Sequence, residues 1–318
     1  MRPGFPPILV VGLVVGAVGF LDPVTIAGQD QRPTFRASVE RVTLAVTVRT
    51  SRGRQVTDLQ ASDFEVLDQG RRREITEFRT DPAPVSLGFL ADFSGSMDVA
   101  ARRDVARESV RHLLAWLTPG VDHAGLFVFD EQLRELQPLA PAPGDILAQF
   151  DRVDRPFGVT SLFDAIATTG QRLATHGGSR RAVVAFTDGA DNASTLTPGE
   201  VSGLASSIDV PVYVVITVSP FDRSGRGTIN DARINDMLAG SLGNLARWTG
   251  GEIYAGVGPA HLSQAAQQIV TDLRQQYLIA FEPGSEPGWH PLEVRVSDEN
   301  LVVRARSGYI VRDETDER

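Results

Sequence analysis

The chain of 318 residues contains no cysteine. This absence excludes disulfide bonds, thiolate metal sites, cysteine nucleophiles and a lipid-modified cysteine anchor. Histidine is scarce as well, and the five histidines show no paired spacing of the kind that metal ligands have. We therefore expect the chemistry of this protein to use oxygen or imidazole groups.

Basic residues are in the minority, with 31 against 40 acidic residues and a formal net charge of −9. A nucleic-acid partner held by phosphate contacts is therefore not expected. The basic cluster Arg71–Arg73 follows an Asp-Gln-Gly turn, and we interpret it as part of a solvated hairpin. With 42% hydrophobic and 22% charged residues, the composition is that of a globular protein of one or two domains.

The amino terminus contains an apolar run, Ile8–Leu21, preceded by Arg2. The run is shorter than the roughly 20 residues of a membrane span, and Thr25-Ile26-Ala27 offers the small residues of a signal-peptidase site. We predict that residues 1–27 are a cleaved export signal, which places the mature protein outside the cell, in the periplasm or in the envelope. The alternative is an uncleaved anchor, through which alone we expect any membrane attachment.

Strand-like and helix-like patterns alternate from Val85 onward. This alternation predicts an α/β fold with a Rossmann-like, doubly wound, mostly parallel sheet covered by helices on both faces. The strand predicted at 133–139 follows its predecessor after a link, 130–132, that is too short for a helical crossover. We therefore expect this strand to be antiparallel and to lie at an edge of the sheet.

The segments that flank this region, 36–79 and 276–311, have strand patterns without covering helices. We expect the two flanks to complete one small β-sandwich module built from both ends of the chain. The predicted organisation is an export signal at 1–27, a first part of the β module at 31–82, the α/β domain at 84–280, a second part of the β module at 281–312 and an acidic tail at 313–318.

The most informative stretch is VSLGFLADFSGSM, at residues 85–97. It begins as a buried-strand run and ends in Asp92, Ser94 and Ser96, whose spacing places three oxygen side chains on one side of an extended backbone. A helical apolar period follows from Val105. The motif thus lies at the carboxyl end of a central strand, where open α/β sheets place their ligands.

Two further segments point to the same edge of the sheet. The apolar run 182–187 stops at Asp188, and a Gly-Val-Thr-Ser segment with Thr160 opens the helix that begins near Leu162. A cluster of carboxylates and hydroxyls suits a hard divalent cation such as Mg²⁺. Taken alone, the Asp-x-Ser-x-Ser motif also fits a capped turn, in which these oxygens satisfy free amides at the start of a helix.

Together, DFSGS at 92–96, the segment around Thr160 and Thr-Asp-Gly at 187–189 resemble the metal-ion-dependent adhesion site of von Willebrand factor type A domains. The resemblance covers 84–280 and implies a Mg²⁺ site, with Mn²⁺ or Ca²⁺ as alternatives. The ligands that it implies are Asp92, Ser94, Ser96, Thr160 and Asp188, and no departure from the family pattern is visible at these positions. The flanks resemble a bacterial group of secreted proteins with such domains.

The resemblance implies a binding or adhesion module, not an enzyme, whose metal ion takes a carboxylate from an Asp or Glu of a protein partner. One alternative is a structural envelope component whose metal only stabilises the fold. A less favoured alternative is a Mg²⁺-dependent phosphoryl-transfer hydrolase. Against it, Ser94 stands where the haloacid-dehalogenase phosphatase pattern requires a second Asp, and the chain has no P-loop motif.

The loop predicted at 219–230 is longer than the roughly 2–6 residues usual after a parallel strand. It contains Arg223 and Arg226, which would attract an anionic group. We expect this loop to contribute partner specificity beside the metal.

Overall fold

The computed structural model describes residues 41–141, 144–154, 158–178, 180–207, 209–217, 236–237, 239–256 and 258–311. All of them belong to one unit, Val39–Arg318. The predicted export signal, the loop 219–230 and the acidic tail lie outside the described residues. Within the described residues, no helix is long and apolar enough to cross a membrane.

Strands begin and end the described part of the chain, and helices occupy its middle. The strands are β1 (Val42–Thr50), β2 (Phe64–Asp68), β3 (Arg71–Arg73), β4 (Ile75–Arg79), β5 (Ser86–Asp92), β6 (His123–Phe129), β7 (Leu133–Pro141), β8 (Arg181–Thr187), β9 (Val212–Thr217), β10 (Ile253–Gly256), β11 (Tyr277–Phe281), β12 (Gly288–Val296), β13 (Leu301–Arg304) and β14 (Gly308–Val311). The helices are α1 (Arg102–Trp116), α2 (Ile146–Asp151), α3 (Leu162–Ala174), α4 (Pro198–Ser207), α5 (Ser241–Trp248) and α6 (Pro259–Arg274).

A six-stranded mixed sheet forms the centre, in the order β10-β9-β8-β5-β6-β7. Its strands are parallel except for β7, which is antiparallel to β6 and lies at the edge. The antiparallel edge strand predicted from the short link is therefore confirmed. All seven residues of β5 are buried, as its uninterrupted apolar run requires of a strand that is covered on both faces.

Helices cover both faces of this sheet. Along β8, Ala182, Val184 and Phe186 belong to the apolar cluster that includes residues of α1, α2 and α6. The intervening Val183 and Ala185 belong to a second cluster with α3, α4 and α5. The period of two along the strand thus divides the core into two layers.

The flanks form two antiparallel sheets, ordered β13-β1-β11-β4 and β14-β12-β2-β3. Buried residues of both sheets, among them Val46, Phe64 and Tyr309, form one apolar cluster. Each sheet thus combines strands from both ends of the chain. With these antiparallel sheets the protein is an α/β protein with mixed sheets and not a pure Rossmann arrangement.

The helical part of the chain ends with α6, because the strand that follows, β11, pairs with β1 and β4 of the flanking sheets. A 3-10 helix at Gly95–Ala101 precedes α1, which begins at Arg102. The region between β1 and β2, which we expected to lack helix, contains a short 3-10 helix at Ala61–Asp63.

Candidate metal centre

Asp92 ends β5 and is almost completely buried, at 1% exposure. The backbone N–H of Ser94 donates to Asp92 Oδ1 at 2.9 Å, and the Thr187 hydroxyl donates to Oδ2 at 2.7 Å. Because each carboxylate oxygen has two lone pairs, both oxygens keep the capacity to accept another contact. The neighbouring strands β5 and β8 thus fix the Asp92 carboxylate at their carboxyl ends.

Burial raises the pKa of Asp92 to about 6, although hydrogen bonds from Ser94 and Thr187 act in the opposite direction. The negative charge of Asp188 adds to the increase. A carboxylate that is held away from water beside another carboxylate is stabilised in its charged form by a cation. The electrostatic environment of Asp92 therefore favours cation binding.

The hydroxyl oxygens of Ser94 and Ser96 lie 3.2 Å apart. Ser94 is the N-cap residue of the 3-10 helix, but its side chain makes no capping hydrogen bond. The capped-turn alternative, in which this hydroxyl would satisfy a helix amide, is therefore not supported at Ser94. Its hydroxyl faces the other serine of the motif instead.

Thr160 is buried and is positioned through its backbone. Its N–H donates to Asn192 Oδ1 at 2.8 Å, and its carbonyl accepts from the N–H groups of Asn192 and Ala193 at 3.0 Å. Gly95 N–H donates to Gly158 O at 3.1 Å, which ties this loop to the Asp-x-Ser-x-Ser turn. Among the described residues, the structure gives Thr160 no direct hydrogen bond to the other four predicted ligands.

Asp188 follows β8 directly and is also buried. Its Oδ2 accepts from a terminal guanidinium nitrogen of Arg102 at 3.0 Å, and the same nitrogen donates to Ser96 O at 3.0 Å. Arg102 is the first residue of α1 and is buried. One arginine thus bridges the first and third motifs.

Sequence reasoning missed Asn192 and Arg102. Asp191 Oδ1 accepts from Leu162 N–H at 2.8 Å and from the Ser194 hydroxyl at 2.6 Å, so it holds the start of α3 in place. The Asp-Asn pair in the loop after β8 was the available signal for these contacts, because such side chains readily bond to backbone amides.

The donor set combines two carboxylates with three hydroxyls, which are the hard oxygen ligands that Mg²⁺ prefers. Across the described ranges, no group of three His, Asp or Glu residues is arranged to hold a metal ion. A cation here would consequently depend on the serine and threonine oxygens. The residues present fit a divalent cation with oxygen coordination that keeps some of its waters.

Residues 87–190 match the model of the von Willebrand factor type A domain, which confirms the resemblance predicted from the three motifs. No curated protein matches the chain. The structure is similar to that of an aerotolerance-related membrane protein from Bacteroides fragilis, with 19% identity, coverage of 59% of this chain and 98% of that chain, and a TM-score of 0.43. It is also similar to BatB from Bacteroides thetaiotaomicron, with 17% identity, the same two coverages and a TM-score of 0.43. A von Willebrand factor type A protein from Catenulispora acidiphila has 15% identity, coverage of 81% of this chain and 76% of that chain, and a TM-score of 0.45.

Proposed function

Because the chain contains a von Willebrand factor type A domain at residues 87–190, we propose that it is a metal-dependent binding module that recognises a protein partner. Domains of this type generally mediate protein–protein interactions, often through a metal ion. The proposed ligands are Asp92, Ser94, Ser96, Thr160 and Asp188, and the proposed ion is Mg²⁺, with Mn²⁺ or Ca²⁺ as alternatives. We propose no catalytic role, in keeping with the interaction role typical of such domains.

The observation that carries this proposal is the buried carboxylate of Asp92, set beside the facing hydroxyls of Ser94 and Ser96. A divalent ion held there would supply a Lewis acid that accepts an oxygen ligand from outside the protein. Hydroxyl ligands add no charge, so two carboxylates at most neutralise the ion and leave it attractive to another anion. The partner would therefore present an Asp or Glu carboxylate.

A metal-dependent binding module must bind a divalent cation in solution, and isothermal titration with Mg²⁺ and Mn²⁺ measures this binding directly. We expect saturable binding by the wild type and none by Asp92→Ala. The matched control is Asp151→Ala, which removes an exposed carboxylate paired with Arg107 and should leave metal binding unchanged. Equal metal responses in the wild type and Asp92→Ala would exclude this site.

Metal binding should also stabilise the fold, because a ligand that binds only the native state adds RT ln(1 + [L]/Kd). At a hundredfold excess over Kd this is about 2.7 kcal/mol. Partner capture from envelope extracts and culture medium, with and without chelator, then separates a binding module from a structural protein. A metal that raises the melting temperature but does not change the captured set would support the structural alternative.

We further propose that the mature protein acts outside the cytoplasm, on the basis of the Ile8–Leu21 run and the small residues at 25–27. Mass spectrometry of the extracytoplasmic protein is expected to find a chain that starts at or near Gly28. An intact species with Met1 that pellets with membranes would replace the cleaved signal by an anchor.

A further inference from the structure

Arg102 places a fixed positive charge inside the proposed metal centre. One of its terminal nitrogens lies 3.0 Å from Asp188 Oδ2 and 3.0 Å from the backbone oxygen of Ser96. The side chains of Arg102 and Asp188 are 10% and 5% exposed. The arginine thus contacts a carboxylate that is itself a proposed ligand of the cation.

The placement of Arg102 is specific to its position in the chain. Ala101 adopts a left-handed conformation, with φ of 60°, at the junction between the 3-10 helix and α1. The next residue, Arg103, leads elsewhere: it donates to Phe150 O and Val153 O at 3.2 and 2.8 Å, and its guanidinium lies over the Phe93 ring. Two consecutive arginines therefore diverge, and only the first enters the site.

We propose that Arg102 is an internal cation of this centre, which weakens its affinity for a divalent ion and strengthens the affinity of the loaded centre for a carboxylate. This inference rests on the proposed function and names the residue that tunes it. The guanidinium carries one positive charge. It opposes the entry of a second cation, and it occupies an oxygen of Asp188 that a metal ion or its water would use.

The balance of charge explains why Arg102 would strengthen the affinity of the loaded centre for a carboxylate. Asp92 and Asp188 contribute two negative charges, and a divalent ion alone would neutralise them. With Arg102 in place the loaded centre carries one net positive charge, in a buried site where solvent screens charges weakly. The contact of Arg102 with Ser96 O does not involve Asp188, so it can hold the guanidinium beside the centre when Asp188 turns to the metal. The centre would then bind a partner's carboxylate more tightly than a neutral centre.

The test compares two neutral substitutions, Arg102→Gln and Arg102→Met, with the charge-retaining Arg102→Lys. Isothermal titration with Mg²⁺ and Mn²⁺ should show binding that is about tenfold or more tighter in the neutral variants, because a nearby unit charge has been removed. Arg102→Lys should stay close to the wild type. The control Arg107→Gln removes an exposed arginine of the same helix and should have little effect, because solvent screens its charge.

Acetate serves as the probe for a partner's carboxylate, titrated into Mn²⁺-loaded protein while the relaxation of water protons is followed. Acetate should bind the neutral variants more weakly than the wild type. Near-ultraviolet circular dichroism in chelator identifies which variants are folded, and either neutral variant suffices. Metal affinity in a folded neutral variant that is equal to or weaker than that of the wild type would overturn the role of Arg102 while the proposed function stands. If neither the wild type nor any variant bound metal, the proposed function itself would fail, and this inference with it.

Discussion

Asp68 joins the two ends of the chain, and its neutralisation gives a sharp test of the β module. It ends β2 and is fully buried. His290 Nδ1 on β12 lies 3.0 Å from Asp68 Oδ1, whereas Arg73 on β3 and the hydroxyl of Tyr309 on β14 donate to Oδ2 at 2.7 and 3.1 Å. One carboxylate therefore receives contacts from three strands. We consider the substitution Asp68→Asn, which keeps the size of the side chain and removes its charge.

The loss of unfolding free energy caused by Asp68→Asn follows from the burial of Asp68 and His290. The side chains of His290 and Asp68 are 2% and 0% exposed, so water cannot replace the lost contacts. Removing one partner of a buried hydrogen bond typically costs about 1–3 kcal/mol of unfolding free energy, because the remaining polar groups stay buried and poorly paired. We expect Asp68→Asn to lower the free energy of unfolding by an amount in this range at pH 7.

The pH dependence has a defined sign. Burial alone would raise the pKa of Asp68, but the hydrogen bonds from His290, Arg73 and Tyr309 outweigh it and hold the pKa below its usual value. A carboxyl whose pKa is depressed by folding stabilises the native state above its unfolded pKa of about 4, and this contribution is lost as the pH falls through the folded pKa. The difference in unfolding free energy between the wild type and Asp68→Asn should therefore be largest at pH 7 and should decrease below about pH 4.

Urea denaturation at a series of pH values measures both effects. The control is Asp151→Asn, which alters a solvent-exposed pair with Arg107 and should cost at most about 1 kcal/mol at pH 7. The reasoning would be refuted if Asp68→Asn cost no more than this control at pH 7. If the difference in unfolding free energy between the wild type and Asp68→Asn stayed constant between pH 7 and pH 3, the stabilisation would not depend on the ionised carboxyl of Asp68.

Further predictions concern packing and the two-ended module. Gly251→Ala should lower the melting temperature, because the added Cβ would lie 2.0 Å from the backbone oxygen of Val212 on β9. The control is Gly203→Ala on α4, whose added Cβ meets no atom within 4 Å and which should leave the melting temperature unchanged or raise it. Deletion of residues 286–318 removes β12 to β14 and should cause aggregation, because the apolar faces of β1 and β2 lose their cover. Light scattering tests this, and a monomeric deletion variant whose β1–β4 region resists protease as the wild type does would contradict it.

The parts of the fold that could be predicted from the sequence are those fixed by local pattern. The uninterrupted apolar run of β5 and the helical period after it depend on neighbouring residues only, so both elements were predictable. The geometry of parallel sheets then placed the ends of β5 and β8 at one edge. This is why Asp92 and Asp188 were predicted together, and the Thr187 hydroxyl that bonds Asp92 shows how close these strand ends lie.

The supporting contacts of the centre could not be predicted in this way. Arg102 reaches Asp188 across 86 positions of the chain, from a helix start that follows the left-handed Ala101. A charged residue at the start of an amphipathic helix is usually solvated, so its sequence pattern predicts an exposed side chain. Asn192 likewise supports Thr160 from 32 positions away. Long-range polar contacts leave no period in the sequence.

The polar face of β1 shows a related limit of sequence patterns. Its alternating apolar residues are typical of a half-buried strand, in which polar residues such as Thr47 and Arg49 would face water. Both are buried. Arg49 Nε donates to Asp272 Oδ1 on α6 at 3.1 Å, and Arg304 on β13 donates to Oδ2 of the same carboxylate at 2.9 Å. Alternation shows that the two faces of a strand differ in polarity, but it identifies the polar face as solvated only when nothing packs against it. On β1 the polar face carries an arginine because a buried aspartate from the helical domain lies opposite. Arg49, a polar residue of the alternating pattern, is therefore a contact through which the β module joins α6.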